Sequence, residues 1–388
     1  MRLDRIDWIM FLLAAGLAVF GTMMVYSASA MIAQRETAGA SQFTYFYKQA
    51  GFTIAGIVIM FVASRVDYRR LNSFPVVLIG LLITIALLLA VFGFPAINGA
   101  QRWIRFGGLS LQPSEIAKIT LPVFLAWFLV RNADRVGELK ATLLPMLLVV
   151  GLVSGLIFVE PDLGTTLVIC AIFAAVYFAA GAKLIHVAGV GGVFVTGVAA
   201  ALYFAPWRMR RLGAFLDPCD PENAAGAGYQ VCQSLYAIGS GGVLGEGFAR
   251  GQQKLFYLPY PHSDFIFSVV GEEFGLVGTL AIVAAFAVLL WRGTRAALNA
   301  PDRFGTLLGI GLITGITVQA LFNISVVISI LPAKGIPLPF ISYGGSSVLV
   351  TLAAVGVLLS IAAAGEEDPA ERPAASGVRR KKARSGLK

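Results

Sequence analysis

Charged side chains are scarce in this 388-residue chain, at 13% of the total. A soluble domain carries about 25%. A soluble surface has to be covered with polar groups, so a fold bathed in water on all sides is excluded. Histidine is nearly missing, with two residues, and cysteine numbers three. No Cys/His cluster of the metal-binding type is therefore present. No internal repeat or low-complexity stretch alters the reading of the fold.

Apolar residues fill the space instead, at 57%, and the 43 glycines suit close packing between membrane helices. Several apolar runs are long enough to cross the roughly 30 Å of bilayer hydrocarbon, which takes about 20 helical residues. Residues 8–26 are longer than a signal-peptide core and read as the first span. The runs predict about ten spans, near 8–29, 49–64, 74–94, 114–130, 142–159, 164–181, 186–205, 265–291, 305–330 and 346–364. The expected fold class is an all-α polytopic membrane protein. Its membrane domain covers 1–364, with one long loop at 206–264 between the seventh and eighth helices.

The formal charge of +9 raises the question of nucleic acid. Most Lys and Arg gather on one side of the predicted spans, among them Arg65, Arg69, Arg70, Arg131, Arg135, Arg292, Arg295 and Arg303. That asymmetry is the pattern of cytoplasmic loops, so both termini are predicted cytoplasmic and no nucleic-acid partner is expected. From Gly365 the composition breaks into GEEDPAERPAASGVRRKKARSGLK. Residues 365–388 read as a disordered tail, its basic run either lying on anionic lipid or acting only as a stop-transfer anchor.

Polar residues meet the opposite membrane edge in five stretches. The first is NGAQRWIRFGGLSLQPSEIAK at 98–118, where Pro113 suits a first helical turn and Glu115 and Lys118 share a helix face. They are either site residues or a mutual ion pair. EPDLGTT at 160–166 leaves Asp162 at the edge, as a site residue or in a tight turn. HSDFIFSVVGEE at 262–273 offers Ser263 or Asp264 as a helix cap, with Glu272 and Glu273 about two turns deeper. LPAKGIPLPFISYGGSS at 331–347 has too many prolines and glycines for regular helix and is expected to be a re-entrant or loop segment against protein. Tyr26, Ser27 and Ser29 end the first span. The long loop adds Arg208, Arg210 and Arg211, which either hold an anion or pair with nearby acids. It also holds Cys219 and Cys232, which an oxidising exterior would allow to form a disulfide. Polar groups gathered at one face suit an enzyme on a lipid-linked substrate better than a transporter, which needs its site near mid-membrane.

From VYSAS at 25–29 to PFISYGGSS at 339–347, these motifs resemble the SEDS family of polytopic glycosyltransferases, which includes FtsW, RodA and SpoVE. The resemblance implies ten helices in the bacterial inner membrane with cytoplasmic termini. It implies polymerisation of lipid II, the lipid-linked disaccharide-pentapeptide, into peptidoglycan, and a class B penicillin-binding protein as partner. Lys334 and the basic tail look more like the FtsW or sporulation branch than RodA. Tyr260 and Pro261 stand where Glu and Ala or Arg are usual in the family. By this resemblance Asp264 aligns with the essential carboxylate and would act as general base. Arg102, Lys118, Arg208, Arg210, Arg211 and Lys334 would stabilise the pyrophosphate leaving group, or a divalent cation would. Glu115, Asp162, His262, Ser342 and Ser346 complete the expected substrate site. The runner-up functions are a lipid II flippase and a scaffold for the transpeptidase.

Overall fold

The computed structural model describes residues 6–96, 99–106, 109–186, 188–189, 191–192, 196–197, 213–226 and 228–366. The apolar runs fold as helices because a helix satisfies its backbone N–H and C=O groups internally where no water is present. In order they are α1 Trp8–Glu36, α2 Thr44–Arg65, α3 Phe74–Ala90, α4 Pro113–Arg131, α5 Leu144–Val159, α6 Leu163–Ala179, α7 Tyr229–Gly241, α8 Ile266–Leu298, α9 Arg303–Val327 and α10 Gly345–Gly365. Among the described residues, eight helical stretches are long and apolar enough to cross a membrane, and α6 is a shorter apolar helix. A two-stranded antiparallel hairpin, β1 Ile104–Phe106 and β2 Leu109–Leu111, precedes α4.

The expected seventh span, 186–205, lies mostly outside the described residues, as do Arg208, Arg210, Arg211 and residues 367–388. Two helices outrun their expected ends: α1 continues to Glu36 and α8 to Leu298. Hydropathy marks where the hydrocarbon stops, not where helical hydrogen bonding stops. The loop after the seventh span is not structureless either, since it contains α7.

Local chemistry sets the helix ends. Proline occupies the first turn of α3, α4 and α5, where its missing N–H costs nothing. Asp7 caps α1 by accepting from Met10 N at 3.0 Å, and it also receives Arg292 from α8 at 2.8 Å. Asp302 caps α9 and is held by Tyr68 and Arg69. These bonds fasten one face of the bundle. α4, α9 and α10 are the most buried spans, whereas α2 and α3 turn most of their surface outward. The buried spans carry the polar residues of the opposite face.

Candidate active site

Between α9 and α10 the chain runs irregularly through three prolines, and its backbone groups find partners on the helices around it. Gln319 Nε2 donates to Pro337 O and Asn323 Nδ2 to Ile336 O, at 2.8 and 2.7 Å. Gln49 on α2 brackets the far end, donating to Ser342 O and accepting from Gly344 N. Gln319 is in turn held by Lys118, which pairs with Glu115 at 2.6 Å. The Glu115–Lys118 pair is thus a buried bracket for the irregular segment 331–344. Gln319 and Asn323 lie four apart on one face of α9. Two amides in an apolar span were the sequence clue to this role, and the motif reading passed over them.

The segment carrying Asp264 is fixed by its main chain. Three successive carbonyls each accept a bond: His262 O from Tyr343 N at 2.8 Å, Ser263 O from Ser342 Oγ at 2.6 Å, and Asp264 O from Asn323 Nδ2 at 2.7 Å. Neither Ser263 nor Asp264 caps α8. The N-cap residue is Phe265, and no side chain closes the turn. With the main chain already pinned, the Asp264 carboxylate turns to Gly335, where an added Cβ would sit 2.7 Å from Oδ2. Any larger residue at 335 would collide with the carboxylate.

Asp162 caps α6 and is saturated. It accepts from Thr165 N and Oγ1, Gln112 Nε2 and Ser114 Oγ, at 2.9 to 3.4 Å. It therefore binds the start of α6 to the start of α4. Arg102 donates to the carbonyls of Glu160 and Pro161, which orients its guanidinium. Glu160 itself is fully buried, and neither carboxyl oxygen has a hydrogen-bond partner. Burial, and secondarily Asp162, push its pKa up to about 8, against Arg102.

Glu272 and Glu273 on α8 hold the loop beyond α7. Glu272 Oε1 accepts from Gln252 N and Gln253 N, and Glu273 pairs with Lys254 and Ser27. Ser27 of the first-span motif thus serves the loop. Gly245 and Gly275 both have positive φ and meet face to face, so that a Cβ on Gly275 would lie 2.5 Å from Gly245 N. Cys219 and Cys232 are joined in a disulfide that fastens the preceding segment to α7.

These supports enclose a cavity of about 620 Å³, with Arg102, Lys334, Asp264, Gln112 and Ser347 in its wall and Trp103, Tyr229, Tyr260 and Tyr343 around them. Of the expected site residues, Asp264, Arg102 and Lys334 face this space. Glu115, Lys118, Asp162, His262, Ser342 and Ser346 stand behind it as supports. Ser346 is engaged with Ser110 O and Gln112 N, and Ser347 takes the place in the wall. His262 packs its ring 5.0 Å from Tyr45, and burial lowers its pKa to about 4, so it is neutral at neutral pH. Asp264 is pushed up to about 6 by burial, with Arg102 opposing and Asp162 adding to the rise. It is ionised at neutral pH and basic enough to accept a proton. Among the described residues no three His, Cys, Asp or Glu side chains converge on one point. Among the described residues, the cavity wall carries one carboxylate, Asp264, and two cations, Arg102 and Lys334.

Comparison with known proteins agrees with this architecture. A "Probable peptidoglycan glycosyltransferase FtsW" from Trichlorobacter lovleyi is 40% identical over 365 residues, covering 93% of this chain and 94% of that one. Stage V sporulation protein E of Bacillus subtilis is 37% identical over 356 residues, covering 92% and 96%. Among solved structures, a chain from a peptidoglycan synthase complex coordinating polymerization and crosslinking superposes with a TM-score of 0.75 at 27% identity, covering 94% of this chain and 99% of that chain. The rod shape determining protein RodA of Thermus thermophilus gives 0.67 at 26%, covering 94% and 98%. The profile of the FtsW/RodA/SpoVE cell cycle proteins matches residues 7–367, and this chain belongs to that family.

Proposed function

We propose that the protein is a peptidoglycan glycosyltransferase that polymerises lipid II. The observation that carries this reading is Asp264, a carboxylate with a raised pKa in a cavity it shares with Arg102 and Lys334. In the reaction the 4-hydroxyl of the acceptor sugar attacks the anomeric carbon of the donor. Asp264 takes the hydroxyl proton as the new glycosidic bond forms. The bond from that carbon to the lipid pyrophosphate breaks, its electron pair leaving with the pyrophosphate oxygen. Arg102 and Lys334 offset the charge that develops there. A divalent cation, where one is bound, would act on the same oxygens.

The site lies at the face away from the arginine-rich loops, and that asymmetry supports a position outside an inner membrane with both termini cytoplasmic. Glycan strands made there would pass to a class B penicillin-binding protein for crosslinking. Greater likeness to FtsW and stage V sporulation proteins supports a role in division or sporulation over rod elongation.

The test is polymer formation on a gel from labelled lipid II by the purified full chain with its transpeptidase partner. Wild type should give a ladder whose rate rises with pH through about 6, where the Asp264 base loses its proton. Asp264→Asn, folded by size exclusion, should give none. A ladder from the variant would move the base elsewhere. No ladder from either protein would favour the flippase, for which lipid translocation is the assay.

A further inference from the structure

We propose that the N-terminal turn of α10, together with Ser347 Oγ, is the subsite for the pyrophosphate of the lipid-linked donor. This rests on the glycosyltransferase reading and adds a place for the leaving group within the cavity.

Two independent observations meet there. The first is the helix end. α10 spans Gly345–Gly365 with Gly344 at its N-cap, and no side chain caps it. Gly344 and Ser347 both form part of the cavity wall. The opening N–H groups of a helix lack intrahelical acceptors and carry partial positive charge, which suits a phosphate. The second is Ser347 itself. It is 4% exposed, yet its Oγ has no hydrogen-bond partner in the protein. A buried hydroxyl without a partner is costly and uncommon, so a hydroxyl in this state on a cavity wall is matched by something the cavity takes in. Its neighbour makes the contrast: Ser346 Oγ donates to Ser110 O at 2.8 Å and accepts from Gln112 N at 3.2 Å. The serine pair divides its work, one residue bonding the scaffold and the other facing the cavity.

Charge and size narrow the ligand. Arg102 and Lys334 share the wall with Ser347, and the helix end adds to their sign. Asp264 shares that space and occupies the role of proton acceptor. An anion with several oxygens is the chemistry that helix N–H groups, a hydroxyl, a guanidinium and an ammonium satisfy together. The donor's pyrophosphate has that chemistry. It also gains charge as the anomeric C–O bond breaks, so these donors bind it more tightly at the transition state than before it.

Inorganic pyrophosphate is the probe, titrated into the detergent-purified full chain in chelator and followed by calorimetry. Asp264→Asn should bind at least as tightly as wild type, because the base is not part of the subsite and the change removes a like charge from the cavity. Ser347→Ala should bind roughly tenfold more weakly, the loss of one bond to a charged group. Ser347→Asp should remain folded, since an acid in the first turn suits the helix end, and should not bind measurably. Equal binding by Ser347→Ala and wild type would overturn the subsite. So would equally strong, Ser347-dependent binding of short-chain phosphatidylglycerol, which would make this a general phospholipid headgroup site. Pyrophosphate binding that depends on Ser347 in a chain that makes no polymer upholds the subsite and sinks the polymerase. Polymer formation with Ser347-independent binding does the reverse.

Discussion

Glu160 shows how one side chain can be held at a cost. Its carboxyl is fully buried without a hydrogen-bond partner, and its pKa stands near 8 against an ordinary 4.5. The folded state therefore retains a proton that the unfolded chain releases. Stability is fully present below about 4.5 and falls as pH rises towards 8. Glu160→Gln keeps the shape and removes the ionisation. Its apparent thermal midpoint is expected to exceed that of wild type at pH 8.5 and to match it at pH 5. Equal midpoints at both values would mean that Glu160 finds a partner in solution. Asp264 follows the same sign, with its transition near pH 6. The two acids differ in use, because only Asp264 opens on the cavity.

Among the elements, the irregular segment 331–344 was the most legible in the sequence and α7 the least, since it lies inside what reads as one long loop. Three prolines and paired glycines over 331–347 announce irregular backbone, and Pro113 announces the start of α4. The Glu115–Lys118 spacing announces an ion pair, which forms at 2.6 Å. The direction of that pair was not legible. It supports Gln319 from behind the cavity because α9 passes there, and helix neighbours are a tertiary fact. The role of Asp264 as a cap was a sound local inference, overturned because the backbone bonds at 262–264 turn the carboxylate aside. Ser346 and Ser347 could not be told apart without the exact start of α10. Removing one charge of the buried pair tests its role as a bracket. Glu115→Met strands Lys118 and should cost on the order of 3–5 kcal/mol. Glu115→Met with Lys118→Met should lie closer to wild type in chemical denaturation, since two apolar groups replace two charges. If the single variant is the more stable of the two, the pair is not acting as a bracket.

For the whole molecule, the division of labour is between faces. One face is fastened by Asp7–Arg292 and by Asp302 with Tyr68 and Arg69, and the other holds the cavity. Of the two outward-turned helices, α2 still reaches the cavity face through Gln49. The fold class was legible because bilayer thickness sets a length that hydropathy can count. The face assignment came from cation asymmetry and can be checked directly. In a Cys170→Ser background, with Cys219 and Cys232 left joined, single cysteines at Asn223 and Asn299 report opposite faces. An impermeant thiol reagent on intact cells should label the first, and the second only after permeabilisation. The reverse pattern would invert the orientation and place the cavity on the cytoplasmic side.

The hold on residues 262–264 is exerted through carbonyl oxygens, which every amino acid carries. The side chains along the rim are therefore released from the duty of placing the main chain at Asp264. Tyr260, in the cavity wall, makes none of these three bonds, while Asp264 is braced against Gly335. A change of side chain at the cavity mouth leaves these three carbonyl bonds, and with them the course of the main chain at Asp264, in place.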